Sequence, residues 1–122
     1  MSLCSARTLF ASLTLAMSLA AVAAQPPSGR YRCYQPPGYH VTAWFDLDQN
    51  GQYRFQGGDP AHYDFDAASD RVTWIDGELA DDHLGGRYFP PSDQAPTGRR
   101  HAIVLEHREP GTPGSECFLT TH

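Results

Sequence analysis

The segment Asp46-Leu47-Asp48-Gln49-Asn50-Gly51 holds side-chain oxygens at alternate positions and ends on a glycine. A calcium-binding loop opens in this way, with alternate oxygens converging on the ion and the glycine making the bend. The position where such a loop carries its bidentate glutamate is Gly57, and no helical pattern flanks the stretch. It therefore reads as an acidic hairpin tip closed by Asn50-Gly51, with Asp46, Asp48 and Asn50 as the calcium alternative. Asp81-Asp82-His83 offers two carboxylates and an imidazole to a metal or a proton-transfer step. His62 and Asp64 share one face of a strand, and His101 and His107 mark the ends of another. None of these has the close spacing of a zinc site, so they read as solvated surface groups. Ser28, Ser69, Ser92 and Ser115 lie outside any G-x-S-x-G elbow. The chain has no lysine, which removes Schiff-base and P-loop lysine chemistry. We expect a non-enzymatic protein without cofactor or resident metal.

The elements that would position these groups are short. Tyr31 and Cys33 alternate with polar neighbours until Pro36-Pro37-Gly38, and Val41, Ala43, Phe45 and Leu47 alternate up to Asn50-Gly51. Further alternating runs cover residues 52–56, 62–66, 71–76, 86–89, 100–107 and 116–120, each bounded by Gly, Pro, Asn or Asp. Period-two runs cut by such residues predict an all-β protein, a small antiparallel barrel or sandwich of seven to eight strands. Residues 78–84 hold at most one or two helical turns, and 90–98 read as an irregular loop. The continuous apolar run Ile103-Val104-Leu105 predicts a strand buried on both faces. Trp44 falls in polar phase with Thr42, Asp46 and Asp48, which predicts an exposed ring and a candidate ligand platform.

The composition sets the compartment and the limits of the core. The chain has 122 residues, with nine arginines against 14 acids and a formal charge of −5. An acidic balance of this kind speaks against a phosphate-tracking nucleic-acid binder. Residues 1–24 carry one charge, Arg7, then an apolar stretch, then Ala21-Val22-Ala23-Ala24. This is the pattern of a cleaved signal peptide, too short to span a bilayer. We therefore expect a periplasmic or secreted protein with no membrane span after signal removal. Residues 25–28 read as a flexible leader and 29–122 as a single β domain. In that compartment Cys33 and Cys117 form a disulfide. After residue 24 there are ten Val, Ile and Leu and five Phe, joined by six Tyr and two Trp. The core must be thin in aliphatics and rich in aromatics, and most of Tyr34, Tyr39, Trp44, Tyr63, Trp74 and Tyr88 should be buried in it.

The order Gly29-Arg30-Tyr31-Arg32-Cys33-Tyr34, Asn50-Gly51-Gln52-Tyr53, Tyr63-Asp64-Phe65-Asp66, Arg71-Val72-Thr73-Trp74 and Asp76-Gly77-Glu78-Leu79 resembles small exported bacterial β-domain proteins. These share an opening Tyr-x-Cys, an N-G-x-Y-type hairpin and a closing Cys. The resemblance implies an envelope or secreted location and carries over no catalytic residue. In size and architecture the chain is also similar to the C-type periplasmic lysozyme inhibitors, without their inhibitory loop motif. The expectation is a monomeric binding or inhibitor module acting on an envelope or extracellular protein, basic or lysozyme-like. The alternative is binding of carbohydrate or cell-wall glycan through exposed aromatics.

Overall fold

A computed structural model describes residues 25–120 of the chain. The expected signal peptide at 1–24 lies outside the described residues. The eight strands are β1 (Gly29–Gln35), β2 (His40–Leu47), β3 (Gln52–Phe55), β4 (Pro60–Asp66), β5 (Arg71–Trp74), β6 (His83–Phe89), β7 (Ala102–His107) and β8 (Glu116–Leu119), with one short helix, α1 (Glu78–Asp82), between β5 and β6. Each strand pairs antiparallel with its sequence neighbours, and β8 pairs with β1 to close a barrel. The barrel, not the sandwich, is the architecture. Closure removes both sheet edges that an open arrangement would leave unpaired.

Cys33 is the direct cross-strand partner of Cys117, and the two are joined as a disulfide across the β1–β8 seam. The interior is aromatic, because strand alternation sends Tyr31, Phe45, Tyr53, Tyr63, Trp74 and Tyr88 inward. Trp74 stands at its centre, edge-on to Phe45 at 5.5 Å and to Tyr53 at 5.1 Å between ring centroids. Tyr31 stacks on Phe45 at 5.4 Å. Tyrosines fill such a core only if their hydroxyls find partners at its margins. The Tyr31 hydroxyl donates to the Pro27 carbonyl at 2.7 Å, and that of Tyr63 donates to the Asp48 carbonyl. The Tyr53 hydroxyl donates to the Asp76 carbonyl. Burial pushes the Tyr63 phenol up to about 12, and raises those of Tyr31, Tyr53 and Tyr88 as well.

Two expectations change. Residues 25–28 read as a flexible leader, yet Pro26 is fully buried and Pro27 receives the Tyr31 hydroxyl, so this stretch packs on the barrel. The run Ile103-Val104-Leu105 is not buried on both faces alike: Ile103 and Leu105 point inward, while Val104 is only half-buried outside. A closed barrel has no central strand to sandwich. Val104 owes its partial cover to Gly114, where an added Cβ would sit 3.5 Å from Val104 Cγ1 and collide with the Leu105 carbonyl.

Candidate functional site

The barrel has one end crossed by the leader and a second end, its mouth, ringed by residues 36–39, 56–59, 75–82 and 108–115. Both irregularities in strand register fall at the mouth. A β-bulge puts one extra residue into a strand and re-aims the side chains beside it. In β2 the extra residue is Thr42, between Val41 and Ala43, which pair with Tyr34 and Cys33. In β6 it is Leu84, between His83 and Gly85, which pair with His107 and Glu106. The second bulge turns His83 toward the mouth and leaves Leu84 in solvent.

Beneath the rim lies a cavity of about 250 Å³, floored by Cys33, Leu79 and Leu105 and edged by Thr42, His83 and His107. α1 is held over it from three sides. Leu79 is buried and its N–H donates to the Tyr53 hydroxyl at 3.2 Å. Gly77 precedes the helix with φ +82°, a conformation that glycine adopts without strain. Arg108 donates to the carbonyls of Ala80 at 2.8 Å and Asp81 at 3.1 Å, placing a cation on the helix C-terminus.

His83 and His107 meet across β6 and β7, ring centroids 5.8 Å apart and edge to face. His107 Nδ1 accepts the Glu109 N–H at 3.2 Å, which requires that nitrogen unprotonated. The His83 Nδ1 is buried without a hydrogen bond of normal geometry. Burial holds the His83 imidazole below its ordinary pKa; Leu79's carbonyl and Asp82 oppose this, while His107 and Arg108 add to it. The sequence set Asp81-Asp82-His83 apart from His107, and the β6–β7 register brings His83 and His107 to one rim. Among the described residues no group of three or more His, Cys, Asp and Glu is arranged to hold a metal ion.

The rim combines two surface chemistries. Tyr39, Val41, Ile75 and Leu84 are the large apolar side chains standing in solvent among the described residues, each more than half exposed, and all four are at this end. The same loops carry six exposed acids, Asp59, Asp76, Glu78, Asp81, Asp82 and Glu109, against one arginine, Arg108. Asp76 is kept below the usual carboxylate range by His62, whose Nδ1 lies 2.9 Å away and whose backbone N–H donates to it at 2.7 Å.

The other candidate residues lie elsewhere. Asp46 forms a two-point ion pair with Arg30 on the outer wall, at 2.9 and 3.2 Å. Asp48 Oδ1 accepts the N–H groups of Asn50 and Gln52 at 2.8 and 2.9 Å, an Asx-type closure of the hairpin tip. Asp46, Asp48 and Asn50 are thus divided between a wall and a turn. His62 turns to Asp76, not to Asp64, and His101 sits 2.6 Å from the Tyr88 hydroxyl at the leader end, far along β7 from His107. Trp44 faces outward as its phase predicts but is half-buried, because the Arg30 guanidinium lies 3.9 Å from its ring centroid. Of the six aromatics expected to be mostly buried, Tyr63, Trp74 and Tyr88 are interior, Tyr34 and Trp44 are half-buried and Tyr39 is exposed.

Compared with protein families, curated proteins and solved structures, the chain matches none. No helix among the described residues is long and apolar enough to cross a membrane.

Proposed function

We propose that the protein is an exported, monomeric, non-enzymatic binding module that docks a basic protein partner through the mouth of its barrel. The observation that carries this reading is the gathering of Tyr39, Val41, Ile75 and Leu84 among six exposed carboxylates at one end. Exposed apolar side chains that cluster within a polar surround are the anatomy of an interface, with a desolvated centre and a charged rim. The acids accelerate encounter with a positively charged surface and reject acidic competitors. The disulfide-closed barrel presents the rim in one geometry, which lowers the ordering cost of association. Export rests on the amino-terminal pattern, and the similarity in architecture to the C-type lysozyme inhibitors makes a lysozyme-like enzyme one partner of suitable charge.

The test is capture of a basic envelope protein by the immobilised, oxidised protein at low and high salt. Retention should fall steeply with salt and should be lost when Ile75 and Leu84 are both replaced by serine, exposed changes that leave the melting temperature in place. Capture that persists in this double variant would remove the mouth from the binding surface.

A further inference from the structure

Charge on this barrel is polarised in a way that the net value conceals. Of the eight arginines among the described residues, Arg30 and Arg32 of β1 and Arg54 of β3 are exposed on the wall formed by β8, β1, β2 and β3, and Arg100, just before β7, reaches onto it at Phe118. Register accounts for the cluster. Arg32 stands directly opposite Trp44 on one side and Phe118 on the other, and Asp46 stands between Arg30 and Arg54. Two of these guanidiniums lie over rings, Arg30 at 3.9 Å from the Trp44 centroid and Arg100 at 4.6 Å from that of Phe118. A guanidinium stacked on a ring is held in place while its N–H edge stays free for an anion.

The wall's own carboxylates leave part of this charge unclaimed. Asp46 is taken by Arg30, and Glu116 lies one row nearer the mouth beside Tyr34. Arg32 and Arg100 enter none of the ion pairs among the described residues. On the far side of the barrel, β4 exposes Asp64 and Asp66, Arg71 is bound by Glu106 at 2.8 Å, and Arg87 lies 5.3 Å from the Phe89 centroid.

We infer that the arginine wall is a binding surface for an acidic polysaccharide whose sugar rings carry carboxylates. Arg32 and Arg100 receive the carboxylates, each guanidinium matching two oxygens in the plane that Arg30 already shows with Asp46. The half-buried rings of Tyr34 and Phe118, 6.1 Å apart between centroids, give the sugars apolar surface beside the guanidiniums. A polymer with one charge per sugar suits a patch of this size on an otherwise acidic protein. Nucleic acid, with far denser charge, meets repulsion from the acids on the remaining surface. This surface is separate from the mouth and does not depend on the docking proposed there.

Polygalacturonate titrated into the oxidised protein at low ionic strength provides the test. Binding should weaken with salt, be absent with neutral dextran, and fall about five- to tenfold when Arg32 and Arg100 are both replaced by alanine. Arg32→Gln alone should weaken it to a lesser degree, and Asp64→Asn on the opposite wall should leave it unchanged or tighter. Melting curves that coincide with that of the parent protein keep these comparisons about binding. Undiminished binding by the double variant, no binding by the parent, or tighter binding of single-stranded DNA than of polygalacturonate would each overturn the assignment.

Discussion

Cys33 stands opposite Cys117 in the β1–β8 ladder, so the disulfide crosses the seam where strands 84 residues apart in sequence are joined. It ties together the pairing that closes the barrel, and its Cys33 half forms part of the cavity floor. Closing a loop of that length is worth about 4 kcal/mol in the chain-entropy account. For a domain of this size, that corresponds to roughly 15 °C or more in Tm. Replacement of both cysteines by alanine should lower Tm by that order, measured by thermal circular dichroism. A drop of only a few degrees would show that the aromatic core holds the seam without the bridge.

Gly77 is a second point at which the mouth depends on one residue. An added Cβ there would lie 2.5 Å from Ala61 Cβ and 2.6 Å from the Tyr53 hydroxyl, at φ +82°. Gly77→Ala should therefore cost about 3 kcal/mol, combining left-handed backbone strain with a clash against the group that receives the Leu79 N–H. Gly98 has φ +76° with nothing near its added Cβ, so Gly98→Ala should cost about 1 kcal/mol from the backbone alone. Chemical denaturation of the two variants separates strain from crowding. Equal losses would mean that α1 and β4 shift apart with little resistance.

The pH dependence of stability should carry the mark of His83. Its pKa is lower in the folded protein than the ordinary value of 6.5. The unfolded chain thus takes up this proton first as pH falls. The stabilisation is complete above about pH 6.5 and is lost as pH drops through the folded value. Asp66, Asp76, Asp93 and Glu106 all have lowered values, so their contributions persist to lower pH and disappear below about pH 4. Tm should decline as pH falls below about 6.5, and His83→Gln should flatten that decline without altering the acid limb. A variant curve parallel to the parent's through that decline would place the titrating group elsewhere.

Strand positions were legible because alternation and turn residues are local: Val41 to Leu47 with Asn50-Gly51, or Arg71 to Trp74, announce themselves over a few residues. The Asp48 turn was legible for the same reason, as its carboxylate closes a tip on N–H groups two and four residues ahead. Trp44 was half legible. Its outward phase follows from alternation, whereas its cover comes from Arg30 on a neighbouring strand. The mouth was not legible, since two bulges decide that Leu84 stands out and His83 turns in, and a bulge leaves a weak signature in a chain rich in glycine and polar residues.

The sequence by itself determined an all-β domain of short strands, an aromatic core made necessary by few aliphatics, and two cysteines, Cys33 and Cys117, near the two ends of that domain. These are properties of residue type and near neighbours. Only the tertiary structure decided that the strands form a barrel, that apolar and acidic groups share one mouth, and that Arg30, Arg32 and Arg100 meet Trp44 and Phe118 on one wall. Each of those depends on register between strands, above all on β1 with β8. Register is set by packing and hydrogen bonding between segments that the chain holds far apart.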